Sequence, residues 1–206
     1  MTSRKWTPIA LMVTAAPLLA FGGRSGPVVA HLHVWIDAVV TFVFEGGSLV
    51  GLRQHWRFDE FFSSFVIEEH DANRDGAFNQ TEIDAIREHA FGNLREYGYF
   101  THARLDGDKL PLDQVRDFTA RIEDDLLVYE FTMMLPEPVD PGADRVEAAI
   151  YDSEYYVEVL LDEYDPVRFE GIPSGACTFA IREDLENPIY YGMVNPLTIT
   201  LSCATS

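Results

Sequence analysis

The chain has 206 residues, 47% of them hydrophobic, and carries a formal net charge of −19 at pH 7. That apolar content suffices for one sizeable core and is too high for a disordered chain, so a single domain is expected. The acidity argues against a nucleic-acid partner, which would require clustered Lys and Arg, and favours attraction of cations.

Taken in chain order, Arg4 and Lys5 precede an apolar run from about Pro8 to Phe21 that is too short to cross a bilayer and is followed by small residues. This is the pattern of a secretory signal peptide, so residues 1–30 are read as one and the location as periplasmic or secreted. Val28 and Ala30 give a small-x-small cleavage pattern that puts the mature start at His31; cleavage after Ala20 is the alternative. Removing residues 1–30 leaves 12 basic and 34 acidic residues, a net −22. Residues 31–206 are then one β-rich domain.

HLHVWIDAVVTFVFEGGSLVGLRQHW, beginning at His31, alternates about the turn residues EGGS and reads as a long β-hairpin. Alternation puts Leu32, Val34, Ile36, Val40 and Phe42 on one face and His31, His33, Trp35 and Asp37 on the other. His31 and His33 are then roughly 7 Å apart, close enough to share one nickel, cobalt, copper or zinc ion. With His31 as the first residue, the free amine, two backbone nitrogens and the His33 imidazole could also enclose Cu(II) or Ni(II) in a square plane. Asp37 lies about 13 Å beyond His33 along the strand. The hairpin register leaves open whether His55 joins.

The segment DANRDGAFNQTE follows, between two stretches of helical periodicity: Phe58, Phe61, Phe62, Phe65 and Val66 before it, and Ile83, Ile86, Ala90, Phe91 and Leu94 after it. Counting Asp71 as position one, oxygen donors fall at three (Asn73), five (Asp75), nine (Asn79) and twelve (Glu82), with the Ala77 carbonyl at seven and Gly76 at the turn. This is the ligand spacing of an EF-hand calcium loop, in which a hard cation takes six to eight oxygens at roughly 2.3–2.6 Å. Asn79 and Glu82 also fit a helix N-cap and its capping-box partner. The insertion resembles an EF-hand over about residues 58–97, and no second copy accompanies it. With three negative ligands the expected affinity is about 10⁻⁴ to 10⁻³ M, and a lanthanide fits the same oxygens.

Strands return at YFTHARL, DFTARIEDDLLVYEFTMML with a turn at Glu123 to Asp125, RVEAAIY, YYVEVLL, CTFAIRE and PLTITLSC. DGDKLPLDQ, from Asp106, reads as a hairpin turn, and Pro136, Pro138 and Pro141 mark a loop. The fold class is therefore α+β: an antiparallel β-sandwich with an inserted EF-hand-like helix–loop–helix. Cys177 and Cys203 are the two cysteines, and in an exported protein they are expected to form a disulfide. His70, His89 and His102 lack HxxxH or HExxH spacing and read as surface or capping groups. No catalytic set emerges, because GIPSG at Gly171–Gly175 lacks GxSxG spacing and alternation explains Asp152 and Glu154.

HLHVWIDA, VGLRQHWRFDEFFSSF, the acidic loop, LREYGYFTHARLDGDKL, DFTARIEDDLLVYEF and EAAIYDSEYYVEV together resemble the bacterial "domain of unknown function 1007" family, over about residues 31–203. The resemblance implies an exported protein, a periplasmic component of a transport system beside nickel or cobalt permeases, and it carries over no catalytic residue. The family pattern has a proline between the two histidines, where Leu32 stands here, and many members have a less complete acidic loop. The expectation is a non-enzymatic, exported calcium-binding protein connected with metal homeostasis. The alternative is an accessory or solute-binding component that passes a transition ion from His31 and His33 to a membrane permease.

Overall fold

The computed structural model describes residues 34–204. Strands β1 (Val34–Glu45) and β2 (Ser48–Phe58) form the long hairpin, closed at the Glu45–Ser48 pair around Gly46 and Gly47. Helices α1 (Glu60–His70) and α2 (Gln80–His89) follow, then a 3₁₀ segment over Phe91–Phe100 that breaks its helical path at Gly98 and Tyr99. The rest is β3 (Thr101–Leu105), β4 (Asp108–Leu110), β5 (Gln114–Glu123), β6 (Leu126–Val139), β7 (Val146–Ile150), β8 (Val157–Leu161), β9 (Val167–Glu170), β10 (Cys177–Glu183) and β11 (Leu197–Cys203), with a short 3₁₀ turn at Tyr190–Gly192. Among the described residues no helix is long and apolar enough to cross a membrane.

The strands make two sheets. One has the order β5-β6-β2-β1-β8, with β9 also on β1, and the other has the order β10-β11-β7-β3-β4. Inward positions alternate as the pleat requires: Ile36, Ala38, Val40, Phe42 and Phe44 on β1, and Leu52, Trp56 and Phe58 on β2. They share one core with Ala148 and Ile150 of β7 and Ile199 and Leu201 of β11, so both sheets bury their apolar faces together. The turns expected from Asp106 and at Glu123 to Asp125 are present, as the two-residue turns Asp106–Gly107 and Asp124–Asp125 with all four residues at positive φ, the geometry that suits the twist of a hairpin.

Three expectations are corrected. The first sheet is mixed rather than wholly antiparallel, because β8 pairs in parallel with Val34–Ala38 and β9 with Val40–Val43. Alternation carries no information on strand direction, and the chain reaches this edge of β1 only after crossing from the other sheet. The YYVEVLL strand starts at Val157, not Tyr155, since the Asp152 carboxylate captures the N–H groups of Glu154, Tyr156 and Val157 in a tight turn. Finally, β6 runs on through Pro136 and Pro138 to Val139; β5 stops pairing at Met134, so on that side the missing N–H groups have no ladder to break.

Helix α1 also presents a different face from the one its phenylalanines imply. Its N-cap is Asp59, whose Oδ1 accepts the Phe62 N–H at 3.0 Å, so Phe58 belongs to β2 and the helix turns Ser63 and Val66 inward. Ser63 Oγ accepts the Leu127 N–H at 2.9 Å and donates to the Phe58 carbonyl, pinning α1 to the start of β6. Phe61 and Phe65, four residues apart, face outward at 68% and 60% exposure. Helix α2 packs as its periodicity requires, with Ile86 buried and Arg87 anchoring it to β5 through the Phe118 carbonyl at 3.0 Å and the Phe118 ring.

Candidate functional site

The segment joining α1 to α2 is organised by its own oxygens. Asp71, the C-cap of α1, accepts the Asp75 N–H at 3.2 Å on one oxygen and the Gly76 N–H at 3.0 Å on the other. Asn73 Oδ1 shares the Asp75 N–H, and Asp75 Oδ1 accepts the Ala77 N–H at 3.0 Å. Gly76 stands at φ +78°, where a Cβ would be strained, and there the loop reverses. Phe78 packs its ring against the core.

Glu82 closes the loop. One carboxylate oxygen accepts the Ala72 N–H at 3.0 Å, the other the Asn79 N–H at 2.9 Å, so a single side chain joins the first turn of the loop to its last. The Asn79 side chain in turn caps Thr81 and Glu82. Asp71 and Glu82 are buried at 6% and 7% exposure, whereas Asn73, Asp75 and Asn79 face solvent. Among the described residues, none of the ion pairs involves Asp71, Asp75 or Glu82; Asp71 and Glu82 accept hydrogen bonds from backbone N–H groups, and Asp75 accepts from the Asn73 side-chain amide at 2.8 Å as well. Among those same residues, no three His, Cys, Asp or Glu side chains converge as a ready-made metal cluster. In particular, the Glu82 carboxylate is engaged as a cap.

The other sequence-derived sites fare differently. His31 and His33 lie outside the described residues. His55 sits opposite Val39, five residues in from Val34 or about 17 Å along the strand, with Glu130 and Arg121 as its neighbours. Cys177 and Cys203 are disulfide-bonded and are register partners across β10 and β11, as expected. Asp152 is buried and fully engaged by backbone N–H groups, a turn-forming role.

His102 is not the surface group its spacing implies. Its ring lies on Tyr151 at 3.9 Å between centroids, and Nε2–H donates to the Tyr151 carbonyl at 3.1 Å. Burial holds its pKa below the usual histidine range, against the opposing pull of that hydrogen bond.

A family model described as "Protein of unknown function (DUF1007)" matches residues 16–191. The chain belongs to the DUF1007 family. The DUF1007 match takes in the acidic loop, both helices and Cys177, and stops before β11 and Cys203. An uncharacterized 15.5 kDa protein in the trpE 3′ region of Spirochaeta aurantia is 28% identical over 131 residues, 64% of this chain and 93% of its own length. An uncharacterized protein of Haemophilus influenzae is 26% identical over 147 residues, 70% of this chain and 69% of its own. No solved structure matches.

Proposed function

We propose that this DUF1007 protein is an exported, non-enzymatic calcium-binding protein, in which the helix–loop–helix acts as a single EF-hand-like clamp inserted in a β-sandwich. The ion would be held by Asp71, Asn73, Asp75, the Ala77 carbonyl, Asn79 and Glu82. The observation that carries the reading is the pair of buried carboxylates at the two ends of the loop, Asp71 and Glu82, with no cationic side chain paired to either among the described residues. Burying a carboxylate without a counter-charge is costly, and an oxygen-preferring dication supplies that counter-charge. The donor set is hard oxygen throughout, which suits calcium or a lanthanide. The sharp turn at Gly76 is the one a twelve-residue calcium loop needs.

Bound there, calcium would fix α1 and α2, which pack on the core through Val66 and Ile86, and so act structurally. Export is supported by the Cys177–Cys203 bond, since such bonds persist in oxidising compartments. The sandwich is supported by the core common to both sheets. A second reading, delivery of nickel, cobalt, copper or zinc to a membrane permease, rests on the His31-Leu32-His33 sequence alone.

Isothermal titration of the metal-stripped protein with calcium, lanthanum, nickel and zinc separates the two. Calcium and lanthanum heats lost in Glu82→Gln and kept in a His31/His33 double substitution support the clamp. Transition-metal heat lost only with the histidines supports delivery.

A further inference from the structure

We infer that the outer face of α1 and the start of β1 form a docking groove for a basic amphipathic helix of a partner protein. Because α1 turns Ser63 and Val66 inward, Phe61 and Phe65 line the outside together with Trp35, itself 50% exposed, and the three make an apolar floor to a groove of about 680 Å³. Large aromatic side chains exposed together in this way mark an interaction surface rather than ordinary scatter.

The floor is preorganised. Trp35 Nε1 donates to Glu158 Oε2 at 2.7 Å, and its backbone N–H donates to Asp59 Oδ2 at 2.9 Å, so the indole is held in place before anything binds. A fixed aromatic anchor loses little entropy on association.

Every charged residue lining the groove is acidic. Asp59 is committed to capping α1 and to Trp35, but among the described residues Glu60 and Glu68 take part in no ion pair. They stand eight residues apart on the helix, about 12 Å, with Phe61 and Phe65 on the same flank. The complementary ligand is a helix with Lys or Arg about two turns apart and Leu- or Ile-type side chains between them.

The same charge pattern selects among occupants. A net −19 attracts a cationic partner to the chain as a whole, and Glu60 and Glu68 on the groove lining give it a local acidic match. It repels an anionic lipid surface and opposes a second copy of the chain at its own acidic rim.

The probe is a fluorescein-labelled helical peptide of about 15 residues with Lys and Leu at that spacing, titrated against the full chain and followed by anisotropy. The expected result is saturable binding that weakens with salt, is at least about tenfold weaker in Phe61→Ser/Phe65→Ser, and is severalfold weaker with a flatter salt dependence in Glu60→Gln/Glu68→Gln. All four side chains are outside the core, so unchanged thermal unfolding of the variants guards against misfolding. The proposal is overturned if the peptide does not bind, if the variants bind it as tightly as the parent, or if the same peptide with Glu in place of Lys binds equally well. Self-association in sedimentation, or flotation with phosphatidylglycerol vesicles, lost in Phe61→Ser/Phe65→Ser would assign the groove to another occupant and overturn it as well.

Discussion

Asn79 and Glu82 cap each other at the start of α2: Asn79 Oδ1 accepts the Glu82 N–H at 3.2 Å while Glu82 Oε2 accepts the Asn79 N–H at 2.9 Å. This reciprocal bond gives Glu82 a role in the metal-free protein that is separable from ion binding. In chelator, Glu82→Ala is expected to destabilise by about 1 kcal/mol through the lost cap. Glu82→Gln, which keeps an amide oxygen to accept with, is expected to lose a smaller part of that. If the loop holds calcium as proposed, both lose the stabilisation that the ion would give the parent, so urea unfolding with and without calcium resolves the two contributions.

Gly171 and Gly175 both sit at positive φ, yet their surroundings differ. A Cβ on Gly171 would lie 2.0 Å from the Phe44 carbonyl oxygen, whereas one on Gly175 meets nothing within 4 Å. Gly171→Ala therefore forces β9 away from β1 and is expected to cost about 3 kcal/mol or more, against about 1 kcal/mol for Gly175→Ala. Denaturant midpoints of the two variants test the contrast.

The Cys177–Cys203 bond closes a separation of 26 residues between adjacent strands. In the loop-entropy picture its removal costs about 3.5 kcal/mol. The Cys177→Ser/Cys203→Ser variant should show this as a lowered thermal midpoint, and reduction of the parent should reproduce the loss.

His102 makes stability depend on pH in a defined direction. Burial lowers its folded pKa below the ordinary 6.5, with Lys109 and Arg104 nearby also disfavouring the cation and the Tyr151 carbonyl and Asp152 favouring it. Below 6.5 the unfolded chain therefore binds more protons at this position than the folded one, so stability is fully present above 6.5 and declines as pH falls toward the lower folded value. His102→Gln is expected to flatten that decline relative to the parent, read from unfolding free energies across the range.

Much of this was legible in the residues. The three tight hairpins are legible in EGGS, in DGDKLPLDQ from Asp106 and in Glu123 to Asp125, and the cysteine pairing follows from an even count in a chain read as exported. What alternation could not supply was direction, so β8 and β9 along β1 were unforeseeable, and Val167–Glu170 is a strand of four residues between Pro166 and Gly171. The spacing of Phe58, Phe61, Phe62, Phe65 and Val66 leaves the face of α1 undetermined, because all five positions fit a helix equally well wherever it begins. Asp59 as N-cap was the signal that assigns Phe58 to the strand and sends Phe61 and Phe65 outward.

The loop illustrates the same division. Donor spacing is a property of the sequence and was visible at once; which atoms each carboxylate engages is a property of the fold. Asp71 and Glu82 are buried because α1 and α2 start or end there against the core, and nothing in DANRDGAFNQTE alone reveals that burial. His102 is a parallel case: its partner, Tyr151, comes from the end of β7, 49 residues on.

The most direct test of the calcium clamp is equilibrium dialysis of the folded, metal-stripped protein against radiolabelled calcium up to about 1 mM, the weak end of the range for such loops. The account predicts one ion retained per chain, displaced by lanthanum and absent from Asp71→Asn and Glu82→Gln. A folded parent that retains no calcium, or variants that retain as much as the parent, would contradict it.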